Sequence, residues 1–302
     1  MQVYIIVSIA ILLFGLFYEY INSRVEISKR VKKLPMSFFF IPSFLLLLFV
    51  SSMRGDFTAD YNNYIYLFNL YNQFDFLDIF KADFYQEIGY VTFSRLIGGF
   101  TSNELFLFGL MSFLTLLAFF WQFKKYSAYI WLSVFMFVTV GSYYTSFNTM
   151  RQILAVAIIF AGSKFLYDRK FFKYLLVVSL AALFHKTALV MIVFYFLLNI
   201  KVNFRNTVAI ITSLVLSFAF LNNLLAFAQQ FFYEVYTSQS YGMSGLSFSN
   251  AILPLAFLAF TLIYIRHIDL QDNIKRIWVN AAIFYAFFSV LGLIEVAKGT
   301  YH

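Results

Sequence analysis

The 302-residue chain has no cysteine, three prolines, three histidines and three tryptophans, and only 12% of it is charged. Each scarcity removes a class of chemistry. Without cysteine there is no disulfide frame, no thiolate metal site and no cysteine nucleophile, although the redox compartment stays open. Three histidines with no local pairing make no convincing metal cluster. No D-x-D pair, glycine-rich phosphate loop or H-E-x-x-H helix occurs, so nucleotide-sugar, ATP and zinc-protease readings lose their usual anchors. The scattered glycines form no small-xxx-small stripe that would argue an oligomer interface. No pair of broken helices recurs in two similar halves, the pattern a secondary transporter would favour.

What is abundant is apolar: 62% of the residues are hydrophobic, 43 are phenylalanine and 22 tyrosine, and the mean hydropathy is +0.79. Such a chain cannot hide its apolar surface in one soluble core, and it reads as an all-α polytopic membrane protein with a single integral membrane domain over 1–302. The opening segment from Gln2 to about Tyr20 lacks a basic n-region and a small-residue cleavage site, so it reads as a retained transmembrane helix. Apolar stretches near spanning length run through 2–22, 36–53, 104–123, 127–146, 150–167, 206–228, 251–265 and 278–294, about eight full spans. Two segments do not fit that scheme. "IGYVTFSRLIGGF" (88–100) is short and carries Arg95 and three glycines, and the run 174–199 exceeds one span but is split by His185 and Lys186.

The basic residues orient both, because cytoplasmic loops of membrane proteins carry the excess of Lys and Arg. "SRVEISKRVKK", Lys124-Lys125, "DRKFFK", "KVNFR" and "RHIDLQDNIKR" all fall on one side under two conditions. The 88–100 helix must lie in the interface, and 174–199 must enter and return as a re-entrant pair. The N-terminus is then outside, and the net charge of +8 reports orientation and implies no nucleic acid. The loop 54–87 is outside too, rich in acids, tyrosine and asparagine, and is expected to pack over the external face.

That arrangement gathers Arg54, Arg95, Arg151, His185 and Lys186 in the outer half of the membrane, with Glu87 at the start of the interfacial helix. Ionisable groups at membrane depth are costly, about 2.5–3.5 kcal/mol at a helix centre, and tend to be functional. Arg54, Arg151 and Lys186 could also be anchors snorkelling from span ends, and Arg95 could simply decorate an interfacial helix. His185 does not snorkel far; it is either a structural hydrogen-bonding group or a site residue. Several guanidiniums converging there suit an anionic headgroup such as a lipid pyrophosphate.

The ordered segments Arg54 with "TADYNNY" (Asp60, Tyr61, Tyr64), "EIGY" (Glu87, Tyr90), "FNTMRQILAVAI" (Arg151, Gln152) and "AALFHKTAL" (His185, Lys186) resemble the EpsG/Wzy-type polymerases of exopolysaccharide, capsule and O-antigen over about residues 50–200. Ile88 stands where that family usually has proline, and the likeness beyond residue 206 is only hydropathic. The chain also stops at "EVAKGTYH", earlier than the family leads one to expect.

The resemblance implies a GT-C-like membrane glycosyltransferase of the bacterial cytoplasmic membrane. It would join oligosaccharide repeat units carried on undecaprenyl pyrophosphate, with neither metal nor cofactor. Its expected partners are that lipid-linked oligosaccharide, membrane lipid, and flippase and chain-length regulator proteins. His185, Glu87 and Arg151 would be catalytic, with His185 or Glu87 as base or acceptor-positioning group. Arg54, Arg95, Asp60, Tyr61, Tyr64, Tyr90, Gln152 and Lys186 would bind substrate, although Asp60 and Tyr61 could equally brace the loop. The alternative of another class is a flippase or transporter of the same lipid-linked sugars.

Overall fold

The computed structural model describes residues 2–28, 33–55, 58–81, 84, 86–201, 212 and 249–299. Among these the regular structure is entirely helical. Helices α1 (Gln2–Ser28) and α5 (Glu104–Tyr126) each contain a 23-residue apolar stretch. At 1.5 Å per residue such a stretch is about 35 Å long, enough for a hydrocarbon core of about 30 Å. The α5 ends are chemically marked. Asn103 accepts the Leu105 N–H at 3.0 Å as an N-cap, Glu104 occupies the first turn, and Lys124 and Lys125 sit in the last turn, all matched to the helix dipole.

The expected span 127–146 is not one straight helix. It divides into α6 (Ile130–Thr139) and α7 (Ser142–Asn148), bent by 46°. Gly141 lies between them at φ +96°, a left-handed conformation that costs glycine little. A second break at Thr149 precedes α8 (Met150–Ala161) and α9 (Ser163–Tyr167). The run 174–199 is interrupted as its polar pair suggested: α10 (Phe171–Ala182) stops, a 3-10 turn covers Lys186–Leu189, and α11 (Val190–Leu198) follows. Helix α4 (Ile88–Gly98), at 11 residues, is too short to span.

By length and apolarity, two described helices can cross a membrane, or three if the bent pair is one span. The structure does not carry the count of eight, because several expected spans are apolar helices of 10–17 residues. The expected span 206–228 lies outside the described residues.

The chain forms two compact units, Met1–Ser163 with Lys173–Leu189, and Lys164–Phe172 with Val190–His302. The first has two main apolar cores. One joins α1, α2 (Ser37–Ser52), α5, α6 and α7 through Ile11, Phe39, Leu47, Phe120, Phe137 and Tyr143. The other lies under the 54–87 loop, whose helix α3 (Tyr61–Tyr71) buries Tyr64, Phe68 and Tyr71 against Tyr90 of α4, Phe108 of α5 and Met150 of α8. Tyr64 and Tyr71 suit this position because each ring is buried while its hydroxyl is paired, Tyr64 with Asn148 O and Tyr71 with Gln86 Oε1. Behind α8 the approach is made by small residues, with Ala155, Ala181 and Ala188 in one cluster.

In the second unit α12 (Ser249–Tyr264) packs along α13 (Asn273–Gly299), and Phe194 of α11 meets the Phe284 ring edge-on at 5.7 Å. The last carbonyls of α11 have no intrahelical donors. Buried Asn280 donates to the last of them, Leu198 O, and to Ile200 O two residues beyond the helix, at 2.9 Å each. Replacing Asn280 with leucine keeps the bulk but orphans both carbonyls, and should cost about 1–3 kcal/mol. A lowered melting temperature in detergent is the expected result, and an unchanged one would show that water satisfies those carbonyls.

Candidate functional site

Glu87 occupies the N-cap position of α4 with extended backbone (φ −64°, ψ 136°). Its side chain does not cap its own helix but reaches outward to two distant segments. One carboxylate oxygen, Oε2, accepts from Nη1 of Arg151 at 2.6 Å. The other, Oε1, accepts the backbone N–H of Lys186 at 3.0 Å and faces Nδ1 of His185 at 3.5 Å. Residues 64 and 99 positions apart in sequence are thus held by one carboxylate whose side chain is 2% exposed.

Each partner comes from the end or break of a helix. Arg151 is in the first turn of α8, where the helix dipole disfavours a cation, and Glu87 offsets that cost. Its guanidinium also lies over the Tyr90 ring, 5.3 Å from the centroid. His185 and Lys186 follow the end of α10, where backbone groups lack helical partners. Two reciprocal bonds dock this break onto α4: Lys186 N–H to Glu87 Oε1, and Gly89 N–H to Leu183 O at 2.9 Å. The approach leaves no room for a side chain, since a Cβ on Gly89 would lie 2.5 Å from Leu183 O.

The 54–87 loop closes onto the same place. Tyr64 OH donates to Asn148 O at 3.0 Å and accepts from Met150 N–H at 3.1 Å, bridging the α7–α8 break beside Arg151. Asn148 Oδ1 accepts the Ala59 N–H, and Tyr61 stacks on Phe108 with ring centroids 5.3 Å apart. Asp60, half-buried at the start of α3, makes no side-chain cap. Burial pushes its carboxyl pKa up, and the Arg151 charge partly opposes the shift. Burial likewise raises the Tyr64 hydroxyl, against the charge and hydrogen bond of Arg151.

The structure therefore brings together Glu87, Arg151, His185 and Lys186, with Asp60, Tyr64 and Tyr90 around Arg151. Gln152, next to Arg151 on α8, is exposed, as is the side chain of Lys186. Arg95 stands apart in the last turn of α4, where its Nε donates to Phe74 O at 2.7 Å and ties down the loop.

Arg54 is also placed differently. It is 2% exposed and sits between the Phe108 and Phe147 rings, with centroids 5.0 and 5.3 Å away. Nε donates to Ser51 O, Nη1 to Ser146 O and Phe147 O, and Nη2 to Ser112 Oγ, at 2.8–3.1 Å. It meets the unpaired carbonyls at the ends of α2 and α7, the favourable place for a cation.

Gly89, Asn148 and Ser112 were given no role by the sequence reading, although Gly89 lies inside "EIGY" and Asn148 inside "FNTMRQILAVAI". Among the described residues no group of three or more His, Asp or Glu side chains could hold a metal ion.

An apolar chain, helical throughout its described regular structure, with a buried carboxylate clasping a guanidinium and a broken-helix histidine is a membrane protein organised around an internal ionic site. The chain belongs to the EpsG family, whose family model matches residues 37–297 and so extends well past the segments that carry the resemblance. This is the family of Wzy-type polysaccharide polymerases, and membership brings a glycosyltransferase-type polymerase role with a lipid-linked oligosaccharide as substrate. Comparison with curated proteins and with solved structures gives no match.

Two outcomes test this geometry. Gly89→Ala must push α4 off the α10 break, so it should destabilise the protein by about 1–3 kcal/mol. It should also shorten or abolish polymer although every charged group is intact, and wild-type melting and wild-type polymer would refute the docking. For Asp60 the raised pKa fixes the sign of a pH effect. Its stabilising contribution is full below the ordinary aspartate value of about 4 and is lost as pH rises through the raised value. Melting temperature in detergent should therefore fall over that interval, and Asp60→Asn should flatten the slope.

Proposed function

We propose that the protein polymerises lipid-linked oligosaccharide repeat units at the outer face of the bacterial cytoplasmic membrane, moving glycan from undecaprenyl pyrophosphate to a sugar hydroxyl of an acceptor unit. The observation that carries this reading is the single carboxylate of Glu87 joined to both Arg151 and the His185–Lys186 break. Pyrophosphate departure and hydroxyl activation need a cation and a proton acceptor side by side, and these are the groups assembled.

In this mechanism the acceptor oxygen attacks the anomeric carbon of the donor sugar, and the bond from that carbon to the pyrophosphate oxygen breaks. Negative charge grows on the departing pyrophosphate, where the Arg151 guanidinium, already oriented by Glu87, stabilises it. The proton of the acceptor hydroxyl passes to His185, whose ring Glu87 orients and whose positive charge it balances once the proton has arrived. Glu87 is thus a positioning residue rather than the base, because its oxygens are buried and engaged. Lys186 and Gln152, exposed beside their partners, are placed to meet phosphate or sugar. Tyr61, Tyr64 and Tyr90 hold the loop and the arginine, and Arg54 frames the α7–α8 junction from behind. The loop 54–87 and the helix break face outward in this scheme, with the basic connections inside.

Arg151→Lys should fail nearly as completely as Arg151→Ala, since an ammonium lacks the planar fork. His185→Ala should lower turnover by about 10²–10⁴-fold, the range of general-base contributions. Both alanine variants, Arg151→Ala and His185→Ala, should leave single repeat units on lipid in cells. Purified wild-type protein given synthetic lipid-linked repeat units, without ATP or an ion gradient, should lengthen the glycan. Translocation without elongation would favour the flippase reading, and wild-type chain length from both variants would remove the site assignment.

A further inference from the structure

Along the contact between α2 and α5 run two apolar cavities that share Phe113. One, of about 690 Å³, lies between Ser52 and Asn103 at one end and Phe113 at the other, and no charged side chain lines it. The second, of about 610 Å³, runs from Phe113 past Ile41, Leu45 and Leu117 to Trp121, and there Lys124 and Lys125 line it. Both lysines are exposed, and Lys125 Nζ lies 4.9 Å from the centroid of the neighbouring Tyr126 ring. The second groove is therefore apolar along its length and doubly cationic at one end.

Its dimensions match one lipid. From Phe113 to Lys125 is about 18 Å along α5, close to the half-thickness of a hydrocarbon core, about 15 Å. Exposed Trp121 stands one turn before the lysines, at the headgroup level that aromatic rings favour. Lysines in a last turn also complement the helix dipole, but that role does not require both to line one cavity.

We propose that the α2–α5 groove is a binding site for an anionic phospholipid. One acyl chain lies against Ile41, Leu45 and Leu117, and the headgroup phosphate is held by Lys124 and Lys125. The site lies away from the Glu87 cluster and is independent of the polymerase reading. It would make the packing of α2 on α5, and with it the Arg54 frame, sensitive to the acidic lipid content of the membrane.

The test is native mass spectrometry of the full chain in detergent, titrated with phosphatidylglycerol and with phosphatidylcholine of equal chain length. Wild-type protein should retain phosphatidylglycerol preferentially. Each ammonium removed should weaken that preference about fivefold, so Lys124→Gln with Lys125→Gln should lose it about 25-fold. Leu117→Trp, which fills the groove and keeps both charges, should reduce binding of both lipids, while Lys81→Gln should change neither. Equal retention of the two lipids by wild-type protein, or undiminished selectivity in the double variant, overturns the proposal. Tighter binding of undecaprenyl phosphate than of phosphatidylglycerol would assign the groove to the carrier lipid and overturn it as well.

Discussion

A carboxylate removed from water must be paired, and the architecture around Glu87 follows from that demand. At 2% exposure its charge would be prohibitive without the Arg151 guanidinium and the Lys186 amide. Those two partners come from segments that hydropathy alone would leave as separate apolar helices. Breaking a buried pair by removing one partner typically costs about 3–5 kcal/mol, so the link is strong enough to decide which helix ends meet. The same atoms that hold the fold are those whose chemistry the polymerase reading uses, and neither role can be altered alone.

Arg54 solves the complementary problem of a cation with no carboxylate among its described partners. Its guanidinium is satisfied by three carbonyls and a hydroxyl, with aromatic faces on two sides. Two of those carbonyls belong to the last residues of α7, directly before the break that launches Arg151. A lysine could not span Ser51, Ser146, Phe147 and Ser112 at once, because its three donors radiate from one nitrogen. Arg54 holds the Phe147 carbonyl and Tyr64 the next one, Asn148 O, so the two side chains brace consecutive residues of the α7–α8 break.

The sequence made the membership of this cluster readable, but not the geometry. His185 and Lys186 stood out because an apolar run does not accommodate them, and the helix does break there. Glu87, Arg151 and His185 were legible as ordered motifs, since ionisable residues in or beside apolar runs are few. The outward turn of Gln152 was not legible, because one residue is a 100° rotation on a helix, and neither was the inward turn of Arg54, which lies past the end of α2 where packing directs the chain. The 127–146 run showed no break, since one glycine hardly changes a hydropathy window, yet the left-handed φ at Gly141 turns the chain there. Sidedness rests on loop charge, which the packing of one chain does not report.

The position of the site has a further physical reason. In an apolar surrounding each helix end exposes backbone groups that need partners, so polar side chains are required wherever a helix stops. Here the ends of α2 and α7, the start of α8 and the break after α10 are served by Arg54, Tyr64 and Glu87, and the start of α4 by the Leu183 carbonyl. A chain that breaks its helices in apolar surroundings must therefore concentrate charge and hydroxyls at the breaks for stability alone. His185, buried beside that carboxylate, is one of the groups gathered at such a break.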